Sequence, residues 1–161
     1  SVRFITDKMP GNFLLIGLIK LILPRAKVIH CTRDPADTAM SIYRNYFAGR
    51  LDYAYELSDI GHYYRLYQDL MSHWESVLPG FVYDIDYETL VLNQEQETRR
   101  LIAHCGLEWD SQCLDFTRAA RPVHTASWAQ VRERMFDRSI GVAAKYGEHM
   151  KPFYDALAGE E

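Results

Sequence analysis

Cysteine is scarce in this sequence. Three cysteines occur among 161 residues, at the irregularly spaced positions Cys31, Cys105 and Cys113. This spacing forms neither a disulfide framework nor a zinc-binding pattern, and no secretory signal is visible. We therefore expect a reducing, cytoplasmic setting.

Long apolar runs are also lacking. The longest run, from Phe13 to Leu23, is too short to cross a bilayer, contains Lys20 and ends at Pro24. We expect this run to form a core helix, and no membrane partner is expected.

An excess of positive charge is absent as well. Lysine and arginine number 18 against 22 aspartates and glutamates, so the formal net charge is −4. This balance argues against a nucleic-acid partner held on a broad basic surface. With 48% hydrophobic and 25% charged residues, the sequence is typical of one globular domain, which we place over residues 1–161.

The known glycine-rich phosphate loops are missing. Neither GxxxxGK[ST] nor GxGxxG occurs anywhere in the chain. Any nucleotide site in this chain must therefore depend on local charge.

The stretch from Lys27 to Arg44 is the most informative part of the sequence. An apolar run at 28–31 predicts a buried strand, and Asp34-Pro35 predicts that a helix starts at Pro35. Arg33 then follows the strand, and Ser41 lies in the second helical turn. A cation and a hydroxyl beside a helix N-terminus form a phosphate-binding arrangement. The alternative is that Arg33 pairs with a core carboxylate and Ser41 has no binding role.

Other elements follow from periodicity and end signals. Apolar residues at three- and four-residue steps predict a helix from about Ile60 to Val77, and alternation predicts strands at Ser1–Asp7 and in FVYDIDYE. Asn93 with Gln96 predicts a capped helix over Gln94–His104. A short helix from Asp110 and a final helix carrying Tyr146, Met150, Phe153 and Leu157 complete the prediction.

Four motifs, in order, resemble one family. They are DKMPGN at the front, Arg33 followed eight residues later by Ser41, the "YE" at Tyr87, and the TAS…QVR segment near Ser127. Together they are similar to sulfotransferases that use 3′-phosphoadenosine-5′-phosphosulfate, especially bacterial enzymes related to tyrosylprotein sulfotransferases. The resemblance implies an α/β fold, with a P-loop-kinase-like parallel sheet and flanking helices, and no metal cofactor.

The resemblance also implies site residues. Arg33 and Ser41 would hold the 3′-phosphate, Tyr87 would lie near the nucleotide, and Arg132 belongs to a segment that closes over it. Lys8 would lie near the transferred sulfate and offset charge on the bridging oxygen. Ser127 would contact the phosphosulfate, with Arg134, Arg138 and Ser139 as further donors nearby.

The sequence departs from the family at two places. The family's glycine-rich loop lies before the strand at Arg3–Thr6, and its Gly-Arg-Trp is replaced by Gly141-Val142-Ala143. The general base stays unassigned, because none of the chain's histidines carries a motif: His30, His62, His73, His104, His124 and His149.

Three functional interpretations remain open. The first is an incomplete sulfotransferase domain, lacking the N-terminal phosphate-loop strand, that keeps the 3′-phosphate half of the donor site. The second is a non-catalytic remnant that binds nucleotide or a protein partner, and the third is an α/β domain without a nucleotide site. The acceptor would be a hydroxyl or an amine.

The resemblance carries one expectation about assembly. In the family's sheet, the absent strand would lie between the strand at 28–31 and the strand at 81–85. Without that strand, two inner edges would carry unpaired backbone groups, so an open gap is not expected to persist. Either the two strands close up directly, or a second copy fills the site by strand exchange to give a homodimer, and we hypothesise the homodimer.

Overall fold

The computed structural model describes residues 4–47, 51–115 and 138–160 of this chain. Its α-helices are α1 (Ile16–Ile22), α2 (Pro35–Tyr43), α3 (Leu57–Val77), α4 (Tyr87–Leu92), α5 (Gln94–His104) and α6 (Lys151–Ala158). The strands are β1 (Val28–Thr32) and β2 (Val82–Asp86), and short 3₁₀ helices span Pro10–Leu15, Asp52–Tyr55, Ser111–Leu114 and Ala143–Met150.

The strand, turn and helix predicted around Arg33 are confirmed, but the strand is not buried as predicted, since Cys31 is exposed and the other residues of the strand are half-buried. β1 ends at Thr32, and α2 begins at Pro35 with Asp34 as its N-cap. The Asp34 carboxylate accepts a hydrogen bond from the Asp37 backbone N–H at 2.8 Å. This bond satisfies one of the N–H groups that lack a partner within the helix. The fixed φ of Pro35 suits the first helical position.

The two strands pair directly and in parallel. Val28 is opposite Val82 and Thr32 is opposite Asp86, so both strands end at the same edge. Helices flank this sheet, which confirms the α/β fold. Of the two arrangements expected for these strands, the structure shows direct closure, because their residues pair with each other along their whole length. The strand-exchange homodimer therefore loses its stated cause and stays an untested prediction.

The core lies where α3 packs against α6 and α2. Phe153 and Ile60 are fully buried there, together with Met40 of α2. Gly61 makes the close approach possible, because a Cβ at this position would come within 2.6 Å of the Phe153 carbonyl oxygen. Without a side chain at position 61, the backbones of α3 and α6 can touch.

The front of the chain differs from prediction. Residues 4–7 of the predicted Ser1–Asp7 strand have no regular structure, and residues 1–3 lie outside the described part. The run from Phe13 to Leu23 is helical, as the 3₁₀ turn followed by α1, but it is not a core helix. Ile16 is its buried side chain, whereas Leu21 is 79% exposed. The apolar run correctly predicted a helix from Phe13 to Leu23. Burial also requires other parts of the chain to cover that helix, and few of the described residues do so.

Two of the remaining helices match their predictions. α3 contains the predicted span, and α5 has the predicted bounds. The expected Asn93 cap is wrong, because its side chain makes no capping hydrogen bond. Asn93 also ends α4, where its backbone N–H donates to Thr89, so one residue serves as the link between two helices.

The predicted final helix is not continuous, because Tyr146 and Met150 lie in the 3₁₀ helix Ala143–Met150, which is interrupted at Gly147, and α6 begins at Lys151. α4 was not predicted, since Tyr87 was placed in the strand that ends at Asp86. No helix among the described residues is long and apolar enough to span a membrane.

Candidate functional site

Two of the predicted binding residues meet at the carboxyl edge of the sheet. Arg33 is the first residue after β1, and Tyr87 is the first after β2. Because the two strands are parallel and end in register, these residues emerge side by side. The guanidinium carbon of Arg33 lies 5.4 Å from the centre of the Tyr87 ring. The structure thus brings together a cation and an aromatic face from residues 54 positions apart.

Ser139 lies between these two side chains. An Arg33 Nη2 N–H donates to the Ser139 carbonyl oxygen at 2.6 Å, and the Ser139 hydroxyl is 3.2 Å from the Tyr87 hydroxyl. Ser139 was predicted to be a possible hydrogen-bond donor to a bound anion, and the structure places it beside Arg33 and Tyr87. A guanidinium carries several N–H donors, so the bond to Ser139 leaves others for an anion.

Glu88 is the acidic neighbour of this cluster. Its Oε1 accepts a hydrogen bond from the Asp34 backbone N–H at 3.2 Å and lies 4.0 Å from Arg33 Nε. The Arg33 side chain is 24% exposed, and its Nε is buried without a hydrogen-bond partner among the described residues. Glu88 therefore supports the turn before α2 and partly offsets the charge of Arg33.

Asp86 sets the position of Tyr87. Its carboxylate accepts a hydrogen bond from the Thr89 backbone N–H at 2.8 Å and so caps α4, of which Tyr87 is the first residue. Hydrogen bonds from the Thr89 side chain and backbone lower the pKa of the Asp86 carboxyl. The cap remains ionised at neutral pH and holds the start of α4 beside Arg33.

Asp37 anchors the loop that carries Ser139. This carboxylate is 2% exposed, and it accepts hydrogen bonds from the Gly141 N–H at 2.6 Å and the Ala143 N–H at 2.7 Å. Gly141 has a φ of 70°, a conformation that favours glycine at this turn. The loop is therefore tied to the first turn of α2.

An open cavity of about 320 Å³ adjoins the cluster. Asp34, Asp37 and Glu88 contribute to its wall from one side, and Ile140, Gly141, Ala143, Ala144 and Tyr154 contribute from the other. Three carboxylates line this cavity and Arg33 does not, so the positive charge that could attract an anion lies outside its wall.

Lys8 and Ser41 are predicted site residues that are not part of this cluster. Lys8 is exposed in the irregular segment before the first 3₁₀ helix. Ser41 is exposed on α2, where its backbone carbonyl accepts a hydrogen bond from the Asn45 side chain, and no hydrogen bond between described residues joins it to Arg33. Ser127 and Arg132 lie outside the described residues, as does Arg134.

His30 stands out among the histidines only in the structure. Its Nδ1 is 2.5 Å from the Asp84 carboxylate across the sheet, and its Nε2 contacts the Tyr67 hydroxyl of α3. A carboxylate only accepts, so the Nδ1 N–H of His30 donates to Asp84. Burial, with the nearby Tyr64 and Asp84, raises the pKa of Tyr67 to about 12.

This His30 bridge, formed by Asp84, His30 and Tyr67, connects both strands to α3. Both ring nitrogens of His30 have a hydrogen-bond partner in this arrangement, and the general base stays unassigned. The sequence carried one usable signal: His30 and Asp84 both sit in the interior of predicted strands. Their register, which pairs them, was not available from the sequence.

Two comparisons with known proteins concern the family of this chain. The chain is 37% identical over 156 residues to an uncharacterized protein of Aquifex aeolicus (strain VF5). The match covers 95% of this chain but 20% of the relative, so the chain spans about a fifth of the length of the curated relative it matches. The Sulfotransferase family matches residues 1–111, which include β1, β2 and both Arg33 and Tyr87. The chain belongs to the sulfotransferase family.

Proposed function

We propose that this chain carries the 3′-phosphate half of a donor site for 3′-phosphoadenosine-5′-phosphosulfate, in a protein that transfers a sulfuryl group to a hydroxyl or amine acceptor. One observation carries the proposal: Arg33 and Tyr87 converge at the carboxyl edge of two adjacent parallel strands, with Ser139 between them. Membership of the sulfotransferase family supports it.

The chemistry of the cluster suits a bound phosphate. The Arg33 guanidinium supplies charge and N–H donors, and the Tyr87 and Ser139 hydroxyls supply neutral donors within reach of the same anion. The N-terminus of α2 points its positive end at the same edge. We assign Arg33 and Tyr87 to the 3′-phosphate end of the nucleotide, with Ser41 as a second contact once the nucleotide covers the start of α2.

The reacting end of the donor needs other residues. We propose that Lys8 offsets the charge that builds on the bridging oxygen as the bond between phosphate and sulfuryl group breaks. Ser127 would contact the phosphosulfate and Arg132 the nucleotide. These three assignments rest on the family motifs alone.

Titration calorimetry tests the binding half of the proposal. We expect the chain to bind adenosine 3′,5′-bisphosphate more tightly than adenosine 5′-monophosphate, because only the first ligand has a 3′-phosphate. Arg33→Ala should weaken bisphosphate binding by about 1.5–3 kcal/mol, the usual loss for a hydrogen bond to a charged group.

Arg99→Ala is the matched control for that measurement. Arg99 is an exposed arginine of α5 paired with Glu95, so its loss changes the net charge equally but leaves the carboxyl edge intact. Equal bisphosphate affinity of the wild type and Arg33→Ala would refute the assignment. An equal loss of bisphosphate affinity in both variants would show that the loss reflects the change in net charge and not a specific contact of Arg33.

A second function is favoured by one feature of the sequence. The chain contains no glycine-rich loop to hold the 5′-phosphosulfate, and positioning dominates this type of transfer. We propose that the chain by itself binds nucleotide without turnover. Labelled donor with a phenolic acceptor decides between the two, since multiple turnovers at catalytic concentration would eliminate the non-catalytic function.

A further inference from the structure

We propose that Asp37 is a positioning residue for the 3′-phosphate subsite. In this proposal Asp37 does not contact the ligand. It holds the loop in which Ser139 contacts Arg33 and Tyr87. This inference rests on the proposed function, and it adds the residue on which the recognition of a 3′-phosphate depends.

The burial of Asp37 requires an explanation. A carboxylate that is 2% exposed must recover the hydration it loses, and no ion pair of Asp37 occurs among the described residues. Its compensation comes from the N–H groups of Gly141 and Ala143 and from its place in the first turn of α2. The charge of Asp37 is thus stabilised by backbone N–H groups of the one loop that contains Gly141 and Ala143.

The loop is held at two points by one short segment. Residues Arg33 and Asp37 are four positions apart, and they bond to Ser139 and to Gly141 with Ala143, respectively. Both contacts span more than a hundred residues of sequence, so neither follows from chain connectivity. Since Gly141 is two residues beyond Ser139, releasing Asp37 frees Ser139 to leave Arg33 and Tyr87.

An electrostatic role for Asp37 predicts the opposite result. If Asp37 acted mainly as a negative charge near the bound phosphate, Asp37→Asn would remove repulsion and tighten binding. If Asp37 positions the loop, Asp37→Asn replaces one of its two accepting oxygens with an NH₂ group, which cannot accept a hydrogen bond from a backbone N–H. The loop then loses one of its two bonds to this side chain, and we expect binding to weaken. The sign of the change separates the two roles.

The experiment compares two ligands in the wild type and Asp37→Asn. The measured quantity is the preference, which is the affinity for adenosine 3′,5′-bisphosphate divided by that for adenosine 5′-monophosphate. We expect Asp37→Asn to lower this preference about tenfold or more, the scale of one lost charge-assisted contact. A general loss of structure would weaken both ligands together and leave the ratio unchanged.

Glu97→Gln is the matched control. Glu97 is the other buried acidic residue of the described chain, also in the first turn of a helix, and it pairs with Arg100 far along the sequence from Ser139. We expect Glu97→Gln to keep the wild-type preference. A double variant adds a check, because Asp37→Asn should lower the preference little further once Arg33 is alanine.

The outcomes are distinguishable. Wild type without any preference refutes the proposed function and this inference together. Wild type with a preference that Asp37→Asn retains or increases refutes the inference alone. If Asp37→Asn does not fold by circular dichroism, Gly141→Ala replaces it, since a Cβ there meets no atom within 4 Å and strains only the turn. Wild-type preference in Gly141→Ala would then overturn the inference.

Discussion

The segments before and after β1 differ in how deeply their apolar side chains are buried. The leading segment, residues 4–23, exposes large apolar side chains: Phe4, Ile5, Met9, Leu14, Leu15, Leu18, Leu21, Ile22 and Leu23. The trailing segment, residues 33–43, buries Ala36, Asp37, Ala39 and Met40. The leading segment is the richer in apolar residues, with 12 of 20 against 5 of 11, so composition alone would predict the opposite burial. Their difference is whether other described parts of the chain pack against them.

Long-range contacts account for the difference. The trailing segment is covered by α3, α6 and the loop that Asp37 holds. The leading segment is tethered mainly through Trp74 of α3, whose ring N–H donates to the Phe13 carbonyl at 2.8 Å. A Cβ at Gly17 would come within 2.9 Å of the Trp74 ring, so the backbone of α1 lies close to α3 at this one point. We infer that the trailing segment contributes most of the stability and the leading segment little.

The largest expected effect is in the trailing segment. Met40→Ala removes a side chain that is 3% exposed, and the cavity left in the core should lower the free energy of unfolding by about 2–5 kcal/mol. Urea denaturation followed by circular dichroism measures the change. A loss below about 0.5 kcal/mol, the scale of surface substitutions, would mean that this core is not the stable part of the fold.

An intermediate effect is expected at the tether. Trp74→Phe keeps an aromatic ring but removes the N–H that bonds to Phe13, which should cost about 1 kcal/mol. Amide hydrogen exchange gives the sharper result, because protection should fall within residues 13–22 and stay unchanged in α2. Equal loss of protection in both segments would contradict the separation drawn between them.

The smallest effect is expected in the leading segment itself. Leu21→Ala makes the same type of truncation as Met40→Ala at a side chain that is 79% exposed, and it should change the free energy of unfolding by less than about 0.5 kcal/mol. The same urea titration serves for both variants. A cost comparable to that of Met40→Ala would show that the leading segment is buried in solution, for instance by a second copy of the chain.

Local signals were enough to predict most elements. The apolar run at Val28, the Asp34-Pro35 start and the periodicity over Ile60–Val77 each depend on nearby residues, and the structure confirms β1, α2 and α3. The approximate position of Arg33 and Tyr87 at strand ends was also predictable. Their side-by-side arrangement followed once the two strands were found to be parallel neighbours.

Other features were outside the reach of sequence reasoning. The burial of the run from Phe13 to Leu23 was wrongly predicted, because periodicity describes a helix face and not the surface that covers it. The sequence could not decide whether the two strands close up directly or a second copy fills the site, because strand order depends on which backbone groups meet. The His30 bridge and the Asp37 contacts both needed the register of distant segments.

The sequence by itself determined where helices and strands begin and end, and which residue types were available for binding an anion. Those properties are local, since they depend on dihedral preferences, caps and periodicity within a few residues. Only the tertiary structure decided that Arg33, Tyr87 and Ser139 share one edge and that Asp37 holds the loop beside them. These contacts join residues 52 to 106 positions apart, and only the packing of the strands and helices brings such residues together.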